Sequence, residues 1–230
     1  MTFHILSLVL AGILSLADYI AETVFSKKLR SSRKLLSFSS GVVISYIVLD
    51  LLPAITSSVL IEGRKLFLYA LFGFAAINLI EQFIYKEVGK NRNAPGYHKK
   101  IHITYFFIYN FAVGLVLVNF AARGFVQTML FFVPFLLYII AEMLPQQFEF
   151  KNELFKVLYF MAPVLGALVG VYGIAAVSSV FGELISFLTG TLLYIAIRES
   201  LPSEEAERPV YFLTGIIAYT LIIYASWKIV

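Results

Sequence analysis

The chain has 230 residues, of which 60% are hydrophobic and only 14% charged, with a mean hydropathy of +0.86. A soluble domain carries about 25% charged residues, so this composition excludes an ordinary soluble globular protein and predicts an integral membrane protein. With no cysteine, disulfides and thiolate metal sites are excluded as well.

A helix of about 20 apolar residues crosses the hydrocarbon layer. On that rule the sequence predicts eight spans, near residues 3–24, 37–60, 65–86, 101–122, 125–148, 154–174, 177–198 and 209–228. The first lacks a basic start and a small-residue cleavage site and carries Asp18 and Glu22, so it reads as a span and not as a removed leader. Only 87–100, EVGKNRNAPGYHKK, is long and hydrophilic enough to be a loop of any size. The expected organisation is one transmembrane domain over 1–230, with no soluble domain.

The basic residues test the count. Lys27, Lys28, Arg30, Arg33, Lys34, Lys86, Lys90, Arg92, Lys99, Lys100, Lys151, Lys156, Arg198 and Arg208 fall in or beside loops one, three, five and seven, while Arg64, Lys65, Arg123 and Lys228 fall on the other side. Because Lys and Arg gather in short cytoplasmic loops, this alternation predicts both termini outside, and the cell membrane is the expected location. The net charge of +4 is then a topology signal, and no nucleic-acid partner is expected.

Three of the seven prolines share a pattern of acid, any residue, Leu, Pro: Asp50-Leu-Leu-Pro53, Glu142-Met-Leu-Pro145 and Glu199-Ser-Leu-Pro202. The first and third end spans two and seven, each with a glycine nine residues before the acid (Gly41, Gly190) and a tyrosine between (Tyr46, Tyr194). On opposite sides of the membrane, they predict an inverted-topology repeat, spans 1–3 matching spans 6–8 across spans 4 and 5. Leu-Pro as a plain helix end explains Asp50 and Glu199 equally well.

Glu142 differs, lying within a predicted span, where an ionisable side chain is costly unless it faces protein or water. Pro145 leaves the Ala141 carbonyl without its helical partner. Glu142, Gln146 and Glu149 share a helix face, so hard oxygen ligands gather there, suited to Mg, Ca or Mn and acceptable to Zn. The competing reading is a buried glutamate that is paired or protonated.

Other polar residues have plainer readings. Asp18 and Glu22 balance Lys27 and Lys28 at an interface; Asn78 and Glu81 lie toward the inner end of span three, either as charge balance or on an exit path; Glu183 begins span seven, where a vestibule is plausible; His98 and His102 bracket the start of span four. There is no glycine-rich phosphate loop, nucleophile elbow or His-Glu-x-x-His pattern, so an enzyme is not expected.

Several segments resemble the ZIP (Zrt-, Irt-like) metal transporters. KLLSFSSGVVISYIVLDLLPA (34–54) is similar to the family's second helix, FLTGTLLYIAIRESLPSE (187–204) to its seventh, IYNFAVGLVL (108–117) to its fourth and AEMLPQQFEF (141–150) to its fifth. The resemblance implies an all-α membrane fold of eight helices in a 3+2+3 inverted repeat. Against the family's His-Asn-x-x-Asp-Gly motif, Asn110 and Gly114 match, but Tyr109 stands for His and Val113 for the acid. Against His-Glu-x-Pro-His-Glu, Glu142 matches, while Ala141 and Pro145 occupy the His positions and Gln146 a Glu position. The primary metal site implied by the family therefore has no ligand side chain left here, and Asn110 with Glu142 corresponds to part of the second.

The leading expectation is a transporter of a divalent or other cation (Mn, Zn, Mg or Fe), with Asn110, Glu142, Gln146 and Glu149 as metal ligands and Asp50, Tyr109, Glu183 and Glu199 along the path. Alternatives are a protein of this fold that has lost metal transport and serves as a regulatory or partner-binding subunit, or a transporter of another solute through a pocket at Tyr109 and Val113. The lipid bilayer and the transported cation are the expected partners, and a homodimer is allowed.

Overall fold

A computed structural model describes residues 2–23, 33–90, 97–141, 153–200 and 209–228. Among them are eleven α-helices and one π-helical segment: α1 (Thr2–Thr23), α2 (Arg33–Tyr46), the π segment Ile47–Leu51, α3 (Leu52–Glu62), α4 (Lys65–Lys90), α5 (Tyr97–Arg123), α6 (Phe125–Ala141), α7 (Glu153–Phe160), α8 (Ala162–Tyr172), α9 (Ile174–Ser179), α10 (Phe181–Ser200) and α11 (Pro209–Ser226). No strand occurs among the described residues.

Among the described residues, six helical stretches are long and apolar enough to cross a membrane: Phe3–Ile20, Lys34–Glu62, Lys65–Gln82, Ile103–Arg123, Phe181–Arg198 and Pro209–Ser226. Shorter apolar helices, Phe125–Ile140 and Ala162–Tyr172, stand where the fifth and sixth spans were expected. The chain is thus an all-helical, multi-pass membrane protein. Ile5, Leu68, Leu71, Phe72, Leu213 and Leu221 are more than half exposed, the pattern of side chains that face lipid instead of a core.

Two elements differ from their expected form, both because of proline. Pro53 has no N–H to offer the Leu49 carbonyl, and just before it the helix widens, Leu52 N–H bonding Ile47 O in π geometry. In the expected sixth span, Pro163 cannot bond the Tyr159 carbonyl, and a turn at Met161 separates α7 from α8. The hydrophilic loop is also shorter than 87–100, since α4 runs to Lys90 and α5 starts at Tyr97. Hydropathy marks where a chain leaves the hydrocarbon, and a helix whose bonds are already formed continues into water.

Close pairs of helices organise the interior, and each is made by two glycines. A Cβ on Gly41 of α2 would collide with the Phe212 carbonyl of α11, and one on Gly215 with that of Phe38; a Cβ on Gly190 of α10 would collide with the Ala70 carbonyl of α4, and one on Gly73 with that of Phe187. Gly114 of α5 and Gly166 of α8 meet the Pro163 and Phe111 carbonyls in the same reciprocal way. Without a side chain at the crossing, the backbones approach closely and gain dispersion contact, which drives helix association in lipid.

Each pair runs parallel. In α4 and α10, Lys65 lies by Glu183 at one end and Glu81 by Arg198 at the other. In α2 and α11, the Lys34 ammonium lies over the Tyr211 ring near both starts, and Tyr46 meets Tyr219 further along. Beyond the pairs, α1, α5, α6 and α8 pack mainly on one another, whereas α2, α4, α10 and α11 form a second group; α2 meets α6, and α5 meets α10, where the groups touch.

One end of the molecule is set by tight turns. Gly63 (φ 85°) and Gly124 (φ 137°) take left-handed backbone, which lets α4 and α6 begin at once after α3 and α5. The start of α10 lies at this same end, as the Lys65 to Glu183 ion pair of 2.8 Å requires.

Candidate functional site

Between the two helix groups, the expected site region is occupied by rings. Tyr109 of α5, 3% exposed, stacks on Phe135 of α6 at 6.3 Å and meets Phe106 edge-on. From Phe135 the rings continue to Phe131 at 4.4 Å, Phe120 at 4.8 Å and then Phe181 of α10 at 5.7 Å. Val113 is 1% exposed. The positions where the resemblance would put an imidazole and an acid are therefore packed core, stabilised by ring contacts of about 0.5–1.5 kcal/mol each beyond area burial.

Asn110 is buried at 7% exposure, placing an amide inside the bundle. Gly114, its neighbour one turn on, has its Cα against the α8 backbone, so its part is close packing. Glu142, Gln146 and Glu149 lie outside the described residues, as do Pro145 and the side chains of Ala141, Glu199, His98 and His102. No group of three or more His, Asp or Glu side chains that could hold a metal occurs among the described residues.

Glu183 is engaged by Lys65, whose Nζ donates to it at 2.8 Å. At the opposite end, Glu81 is 8% exposed and is paired with Arg198, while the Tyr194 hydroxyl donates to its second oxygen at 3.1 Å. Asn78 accepts from Gln82 at 2.9 Å. Glu183, expected at a vestibule, and Glu81, read either as charge balance or on an exit path, both bind α4 to α10.

Asp50 stands apart. It lies in the π segment, half-buried, one turn from Tyr46. The Tyr46 side chain is fully buried, and its hydroxyl lies beside the Asp50 carboxylate without a hydrogen bond of good geometry among the described residues. The Arg123 guanidinium, at the last residue of α5, is within electrostatic reach of Asp50 and lies 4.2 Å from the Phe181 ring centroid and 5.6 Å from that of Phe120. A π segment beside a buried polar group is a frequent mark of a functional position.

Sequence reasoning missed Arg123, Tyr46 and Tyr219 as members of this region. For Tyr219 a signal was available: Pro134, inside α6, leaves the Leu130 carbonyl without its N–H donor, and some neighbour had to supply one. The Tyr219 hydroxyl of α11 does so at 2.7 Å, with its ring against Tyr46 at 6.3 Å. Nothing local in the sequence announces Arg123, whose place over Phe181 depends on the end of α5 meeting the start of α10.

No protein-family model matches the chain, and neither a curated protein nor a solved structure matches it. The class defined by the helices themselves is that of a multi-pass, all-α membrane protein.

Proposed function

We propose that the chain is an eight-span transporter of ZIP-like architecture that moves a cation, with both termini outside. The observation that carries the architecture is the matched pair of glycine crossings. Phe38 and Gly41 of α2 have counterparts in Phe187 and Gly190 of α10, each 149 residues later, and Ala70 and Gly73 of α4 have counterparts in Phe212 and Gly215 of α11, each 142 residues later. The α2–α11 contact is thus repeated by the α10–α4 contact with the two halves exchanged, as an inverted repeat requires. The shift of 149 also carries Asp50-Leu-Leu-Pro53 onto Glu199-Ser-Leu-Pro202. Parallel α4 and α10 need an odd number of crossings between them, which α5, α6 and α7 with α8 supply.

In this reading Asn110 and Glu142, with Gln146 and Glu149, form a reduced site of oxygen ligands that favours hard cations over Zn. Transport follows from motion of one helix group against the other. The test is flux in proteoliposomes: wild type carries Mn or Mg, and Glu142→Ala or Asn110→Ala reduces flux at least tenfold. Equal flux in wild type and variants, or none in either for Mn, Mg, Zn and protons, overturns the cation reading.

A second reading, a protein of the same architecture that binds no metal, is favoured by the packing of Tyr109 on Phe135 and Phe106. It predicts no cation retained on purification, by elemental analysis.

A further inference from the structure

We propose that Arg123 and Phe181 form a closing clamp between the two helix groups, sealing a polar chamber that contains Asp50 and Tyr46 from the water at the Gly63 end of the molecule. The inference rests on the transporter reading only for its purpose, since the seal itself is a property of solvent access.

Three observations support it. The clamp joins helices of different groups, α5 and α10, whereas the ion pairs Lys65–Glu183 and Glu81–Arg198 both lie within the α4–α10 pair. The glycine crossings make each pair move as one piece, so the contacts between groups are the ones that a relative motion must break. Arg123 is such a contact and is itself exposed. An exposed cation over a ring contributes about 0.5–1 kcal/mol, weak enough to open and close readily.

Behind the clamp, polar groups lie beside the ring column, where the Tyr46 ring meets Phe131 and Tyr219 edge-on. The fully buried Tyr46 hydroxyl makes no hydrogen bond of good geometry among the described residues, and the half-buried Asp50 carboxylate lies beside it, one turn on in the π segment that follows α2. Buried donors almost always have partners, so this chamber is suited to hold water or a polar solute when the clamp opens. Arg123 meanwhile remains attracted to Asp50, which returns it to the closed position after release.

The cysteine-free chain allows a direct test by single-cysteine labelling in proteoliposomes with a charged, membrane-impermeant maleimide. Ser186→Cys is a near-isosteric reporter on α10, five residues beyond Phe181 and fully buried, and Leu51→Cys is a second reporter next to Asp50. Arg64→Cys, exposed in the turn after Gly63, identifies the face and confirms correct insertion. With the clamp intact both reporters label slowly. Arg123→Ala or Phe181→Ala raises the rate at least tenfold from the Arg64 face only, and the gentler Arg123→Lys, which keeps the charge but loses the planar stack, gives a smaller rise.

Unchanged rates in Arg123→Ala and Arg123→Lys, with Arg64→Cys still labelling, overturn the clamp, and so does an equal rise from both faces, which is general loosening. Faster reporter labelling without any solute flux leaves the clamp standing and removes the transporter reading. Flux with unmoved labelling does the reverse.

Discussion

At the scale of single residues, the acids in this chain are divided by what lies next to them. Glu81 is buried, yet it has Arg198 and Tyr194 as partners, and it lies where α4 nears the water at the Arg198 end. Removing Arg198 would leave a carboxylate in a poorly solvated place. The Arg198 side chain is itself about one-third exposed, so we expect Arg198→Ala to cost roughly 1–3 kcal/mol of stability, below the cost of breaking a fully buried pair. The double variant Glu81→Leu/Arg198→Leu should recover much of that loss, because no lone charge remains. Denaturant unfolding in detergent measures both, and a double variant as unstable as the single one would contradict the explanation.

At the scale of elements, proline decides where helices bend and which partners they require. Pro53 is accommodated by a π segment, Pro163 by a break between α7 and α8, and Pro134 by a donor from another helix. The third solution ties α6 to α11. Tyr219→Phe should therefore cost about 0.5–2 kcal/mol, the range for hydrogen bonds between membrane helices. In a Pro134→Ala background the helix supplies its own N–H to Leu130, so the same substitution should cost about 1 kcal/mol less. Equal costs in the two backgrounds would mean that the Tyr219 ring, and not its hydroxyl, makes the contribution.

At the scale of the whole molecule, the arrangement of parallel pairs bears on topology. If the chain crosses eight times with both termini outside, single cysteines at Arg64 and Gly124 label from the same side as the N-terminus, and one at Lys99 labels only from the opposite side. Labelling of Arg64→Cys and Lys99→Cys from one side would rule out the alternation that the basic residues predict. The apolar groove of about 360 Å³ between α6 and α11, lined by Phe125, Met129, Val133 and Ile222 among others, plays no part in the path we propose.

The sequence by itself determined that the chain is a membrane protein, and it located the helices, because hydropathy over a span is a sum of local terms and needs no knowledge of neighbours. It also flagged Asp50, Asn110 and Tyr109 as positions of interest. What it could not reveal was which of them meet. Tyr109 was a candidate for a solute path, and its packing against Phe106 and Phe135 is decided in space; so is the pairing of Glu183, expected at a vestibule, with Lys65, 118 residues away in sequence. Arg123 carried no local pattern at all. Ion pairs, ring contacts and cation–ring contacts act over a few ångströms in space, so tertiary structure alone decides them, and the chamber at Asp50 with its clamp is a feature of that kind.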